Sequence, residues 1–91
     1  MGRRLFLHNG SDNVAVALEN LKAGDVVEVK VREKTYKIEL REDIPYGHKV
    51  AIRDIERGSK IIKYGEVIGV ATEDIAVGSH VHIHNIKSLR Y

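Results

Sequence analysis

The chain has 91 residues with no cysteine, no tryptophan and one proline, and it sets 15 lysines and arginines against 13 acidic residues. That length suits one domain, residues 1–91, with a modest core, and the missing cysteines exclude disulfides and thiolate metal sites. The formal charge of +2 is intermixed along the chain, and one Phe with four Tyr offers few stacking platforms, so no nucleic-acid partner is expected.

"MGRRLFLHNG" is no signal peptide, because Asn9, Gly10 and Asp12 break its apolar stretch at once. No apolar run approaches the ~18 residues of a membrane span. A soluble cytoplasmic protein is the expectation.

A first strand is predicted near residues 4–8. Then "VALENLKAGD" from Val16 introduces a pattern that returns as "VAIRDIERGS" from Val50 and "VATEDIAVGS" from Val70. Each reads V-A-x-x-[DN]-[LI]-x-x-G-[DS]. Asn20, Asp54 and Asp74 suit the cap of a one-turn helical corner. Leu21, Ile55 and Ile75 tuck inward, and Gly24, Gly58 and Gly78 can end the turn in the left-handed conformation. Between copies, strands are predicted near 26–31 and 35–40, joined by a turn at Arg32 to Lys34. Pro45 stays outside any central strand because it lacks an N–H. Further strands follow near 48–52, 60–64, 67–71 and 80–85, with a turn at Tyr64 to Glu66. The corners are too short for βαβ units. An all-β domain of about seven or eight short strands is expected.

The last strand, "SHVHIHNI", carries His80, His82 and His84 at every second position. In a strand such residues share one face, opposite Val81 and Ile83. Imidazole nitrogens bind metals at ~2.0–2.1 Å, while three residues in a straight row span ~13 Å. At most two of the three should therefore share an ion, with His48 of "YGHK" as the best internal addition. The same row also suits a solvated face or an edge that resists pairing, and the residues alone leave both open. His48 can equally serve as a general acid or base, or be a loop histidine on a backbone carbonyl. Lys49 beside it can hold a carboxylate as a point charge. His8, near the N-terminus, joins none of these patterns. Lys63 at a hairpin tip suits a biotinyl or lipoyl carrier, but its neighbours Ile62 and Tyr64 do not.

"DNVAVAL", then "IPYGHKVAIRDIERGSKIIKYGEVIGVATEDIAVGSHVHIHNI", resembles the SAF domain of the altronate dehydratase family from about Asp12 to Ile86. The order and spacing of "GHK", "IKYGE-IG" and "HVHxHN" carry the resemblance. It implies a β-clip fold and β-elimination from a 2-hydroxy acid, with iron(II) or another divalent metal in the assembled enzyme. It further implies a large catalytic subunit as partner and a sugar-acid substrate, with a homo-oligomer possible. Ending at Tyr91, the chain resembles a free-standing small subunit or an excised N-terminal domain, silent by itself. The implied roles are His48 and His82 in catalysis, Lys49 and His84 in substrate binding, and His80 and His82 as metal ligands. Altronate and sulfolactate are the substrates it favours, and galactarate is disfavoured by its departure from "HVHxHN". A non-catalytic β-clip module that binds a sugar acid or a protein partner is the alternative.

Overall fold

The computed structural model describes residues 5–7 and 10–88, and these contain strands and turns but no helix. His8 lies outside the described residues. In chain order the strands are β1 (Leu5–Phe6), β2 (Val14–Ala17), β3 (Val26–Val31), β4 (Lys34–Glu39), β5 (Lys49–Ala51), β6 (Lys60–Lys63), β7 (Glu66–Ala71), β8 (His80–Val81) and β9 (Ile86–Ser88). They form three antiparallel sheets, β1-β2-β5-β8, β3-β4 and β6-β7-β9. The all-β expectation holds. Strands β2 and β9 were not anticipated, and the strand expected at 80–85 ends at Val81.

The four-stranded sheet is covered on both faces, which explains its small and β-branched residues. Ala15 pairs with Val50, and both join a cluster with Leu21, Val27, Ile38, Leu40 and Ile44 from the β3–β4 side. Val14 pairs with Ala51, and both face the opposite cluster with Ile55, Ile61, Ala71, Ile75 and Val81. Full burial of such a branched side chain is worth ~1.5–3 kcal/mol. Alternation along one short sheet thus serves two cores.

Two polar residues ahead of β2 tie it to the β6–β7 hairpin. The Tyr64 and Gly65 N–H groups donate to the buried Asp12 carboxylate at 3.0 and 2.8 Å. Tyr64 (φ 56°) and Gly65 (φ 75°) form the two-residue loop between paired Lys63 and Glu66, as a type I′ turn requires. Asn13 donates to the Lys60 carbonyl and accepts from the Ile62 N–H, both at 2.8 Å. Its side chain fills the point where the β6–β7 register shifts between Ile61 and Ile62.

The corners correct one expectation. Asn20, Asp54 and Asp74 start no helical turn. The pattern has a fourth copy, Leu40 to His48, and the four copies lock together in two pairs. Leu21 and Ile44 exchange both backbone hydrogen bonds at 2.9 Å, and Ile55 and Ile75 do so at 2.8 Å. Each Asx side chain reaches across to its partner corner instead of capping its own. Asn20 accepts from the Tyr46 N–H and Asp43 from Ala23, while Asp54 accepts from Val77 and Asp74 from Arg57, all at 2.8–2.9 Å. Gly24, Gly47, Gly58 and Gly78 have φ between 82° and 89°. Each is the third residue of a turn closed by a bond between its flanking residues, such as His48 N–H to the Pro45 carbonyl at 3.0 Å. That is the type II position that glycine fills without strain.

Candidate functional site

The first corner pair explains why a histidine can stand at position 48. In its partner corner, the residue after the glycine is Asp25, whose carboxylate accepts from the Lys22 N–H at 3.0 Å and so closes its own turn. In the His48 corner the position equivalent to Lys22 is Pro45, which has no N–H to satisfy. An acceptor after Gly47 is therefore unnecessary, and the side chain there is free for another use. The β5–β8 register pairs Val50 with His80 and Lys49 with Val81. Continued by one residue, it sets His48 opposite His82.

Residues 82–85 leave the strand because of Asn85. Its buried side chain accepts from the His82 N–H at 3.0 Å and donates to the His80 carbonyl at 2.8 Å. The Asn85 N–H then bonds the His82 carbonyl at 3.0 Å, closing a turn of the kind Asn favours. Ile83 is consequently 83% exposed at the turn, not buried opposite the histidines. The straight row of three rings is replaced by a bent one.

The bend gathers imidazoles. His48 Nδ1 lies 2.9 Å from His80 Nε2, so one ring donates and the other accepts. The His48 ring stacks on His82 with centroids 4.6 Å apart, and His80 lies 5.4 Å from both His82 and His84. His48, His80 and His82 each offer one ligand atom within 4.8 Å of the others. The His80 pKa is lowered by burial and then by the charges of His48, His84 and His82, against an upward pull from Glu42. His82 is lowered by desolvation, then by His48, Lys49 and His84. Both effects favour neutral rings, the state in which an imidazole binds metal or takes a proton.

The donor set fits a divalent transition metal. With ~2.0–2.1 Å bonds, neighbouring ligand atoms of an octahedral ion stand ~3 Å apart, close to the 2.9 Å of the His48–His80 pair. Three imidazoles suit iron(II), zinc or copper better than magnesium or calcium. Among the described residues, no such set holds His80, His82 and His84 together.

The other expected site residues fall differently. Lys49 follows His48 at the start of β5, and its charge helps to lower the His82 pKa. Its own pKa is lowered by burial and by Lys63. His84 is exposed and approaches His80 and Glu42 instead of the three-ring set. Glu42 and Asn85 were missed. Asn85 carried a turn signal, whereas nothing local marks Glu42.

Comparison with known proteins places the chain in a family. Residues 3–89 match the family described as the altronate/galactarate dehydratase SAF domain. The chain is 51% identical over 77 residues to altronate dehydratase of Escherichia coli, covering 85% of this chain but only 15% of that protein. It is 38% identical over 88 residues to the (2R)-sulfolactate sulfo-lyase subunit alpha of Chromohalobacter salexigens, covering 93% of this chain and 94% of that subunit. Galactarate dehydratase (L-threo-forming) of Escherichia coli is 44% identical over 73 residues, 13% of its length. Identity alone therefore does not rank galactarate below sulfolactate. Spanning about one seventh of the dehydratases and nearly all of a sulfo-lyase subunit, the chain belongs to the SAF domain family of altronate and galactarate dehydratases.

Proposed function

We propose that this chain is the histidine-bearing small part of a lyase that eliminates a β-substituent from a 2-hydroxy acid, acting with a large catalytic chain. The observation that carries the reading is the convergence of His48, His80 and His82 at the β5–β8 end of the central sheet. Hexuronate breakdown in the cytoplasm is the setting that the altronate relative suggests.

His48, His80 and His82 are the residues that would hold a divalent metal, iron(II) first. Bound there, the metal supplies Lewis-acid polarisation of the oxygens beside the carbon that loses its proton. The chain's own work is to orient the three rings and to keep those of His80 and His82 neutral. Asn85 fixes the His82 N–H through its side chain and the His82 carbonyl through its own N–H, and the Pro45–Gly47 turn fixes His48. A neutral His48 or His82 that is not engaged as a ligand can take a proton or return one to the departing group. Lys49, whose charge reaches His82, is the group that would hold the substrate carboxylate as a point charge.

Three imidazoles and no carboxylate among them cannot complete the elimination alone, so the large chain must close over this face. Two large apolar side chains flank it in sequence. Tyr46 is 68% exposed two residues before His48, and Ile83 is 83% exposed between His82 and His84. Such residues beside a polar site suit a surface that is covered in use.

The leaving group separates two substrate readings. Identity to altronate dehydratase favours a hydroxyl and hence a sugar acid. The near-complete length match to the sulfo-lyase subunit favours sulfite release from sulfolactate. Co-expression with a large catalytic chain of this enzyme family, then elimination assays on altronate, sulfolactate and galactarate, tests the proposal. Activity is expected on one of them only when both chains are present. A complex inactive on all three, or an isolated chain that is active, overturns it and leaves the binding-module reading.

A further inference from the structure

Glu42, His80 and His84 make a second set of groups whose ligand atoms all lie within 4.8 Å of one another. It shares only His80 with the three-imidazole set. Glu42 sits in the corner that leads to Ile44 and Pro45, and its carboxylate accepts from the His80 N–H at 3.0 Å. That bond holds the carboxylate beside the His80 main chain. The ring's far nitrogen, Nε2, is turned to His48 at 2.9 Å. His84 follows in the Asn85 turn, its ring 5.4 Å from that of His80.

We propose that Glu42, His80 and His84 form a second, outer site for a divalent transition cation, joined to the inner imidazole set through the shared His80 ring. Two imidazoles and one carboxylate are the donors of many zinc and iron(II) sites. Magnesium and calcium, which take oxygen ligands, are poor candidates. Glu42 and His84 are exposed, so the remaining positions fall to water and the outer site is the weaker of the two. The inference extends the metal reading of the inner set, but Glu42 and His84 belong to the outer set alone, so the two can fail separately.

The test is titration of the isolated chain with cobalt(II), followed by its visible absorption. Zinc titration with NMR of the histidine ring signals accompanies it. His82→Ala disables the inner set and is expected to retain one cation, with His80 and His84 signals shifted. Adding Glu42→Gln, which keeps a hydrogen-bond acceptor for the His80 N–H, should weaken that binding by about 10-fold or more, as loss of even an outer partner does. His84→Ala in the His82→Ala background should do the same. The proposal is overturned if His82→Ala binds no cation, or if Glu42→Gln and His84→Ala leave its affinity unchanged. If His84→Ala alone binds nothing while His82→Ala still binds, the inner metal site is the reading that fails.

Discussion

In the corner pair formed by residues 54–59 and 74–79, both glycines are followed by serine. In the pair formed by 20–25 and 43–48, one glycine is followed by Asp25 and the other by His48. The backbone scheme is the same in both pairs, down to the crossed Asx bonds and the paired Leu21–Ile44 and Ile55–Ile75 bridges. The comparison teaches where this fold has room for chemistry. Pro45 removes a donor, which relieves the position after Gly47 of a structural duty and lets an imidazole occupy it. The second pair keeps its serines and contributes its histidine one residue later, at the start of β8.

If the pairs are structural equals outside the histidines, mutations at matched positions should differ only where their surroundings differ. The largest contrast is among the glycines. A Cβ at Gly78 would run into the Glu39 carbonyl oxygen, whereas at Gly58 it would meet nothing within 4 Å. Gly58→Ala should therefore cost only the ~1–2 kcal/mol of a positive φ. Gly78→Ala adds an overpacking cost and should lose about 3 kcal/mol or more. Chemical denaturation of the two variants gives the difference directly, and equal losses would refute the contact.

Next in size is Asp12→Ala, which leaves the Tyr64 and Gly65 N–H groups without this acceptor. A loss of about 2 kcal/mol is expected, with faster amide exchange at those two residues. Asp54→Ala and Asn20→Ala then compare the crossed bonds of the two pairs. Each should lose about 1 kcal/mol, and a much larger loss in one pair would break their equivalence.

The smallest effect is a pH slope confined to the histidine side. His80 and His82 have pKa values lowered from 6.5 in the folded protein, so the unfolded chain takes up protons first as pH falls. Stability from the neutral rings is complete above 6.5 and declines as pH drops below it through their lowered native values. In chelator-treated protein, His82→Ala should flatten that slope; the wild type and the variant following one curve would count against the shift.

Much of the frame was legible in the residues. Strands β3, β4, β6 and β7 are β-prone runs of four to six residues between clear turn signals. Three corner copies announced themselves by V-A-x-x-[DN]-[LI]-x-x-G. The fourth was hidden because it begins at Leu40 and ends in His48. The helical reading of the corners failed because the side-chain oxygen of Asn20 or Asp54 accepts from a backbone N–H 23 to 26 residues away, which no local window contains. The histidine row failed for the opposite reason. Its alternation was local and real, but Asn85 turned the chain before the strand could use it. The pairing of His48 with His80 and His82 was foreseen as the best internal combination, and the bend at Asn85 is what makes it compact.

The central claim is that the histidine face exists for the reaction and not for the fold. The most direct measurement is the elimination rate of the assembled two-chain enzyme carrying His48→Ala or His82→Ala, with the melting temperature of each small chain measured alongside. Neither ring belongs to the buried clusters, so melting should stay within a few degrees of the wild type. The rate should fall by ~10²–10⁴, the range for a group that transfers a proton. Full activity in both variants would contradict the account, and a collapse in melting temperature would make the histidines part of the scaffold.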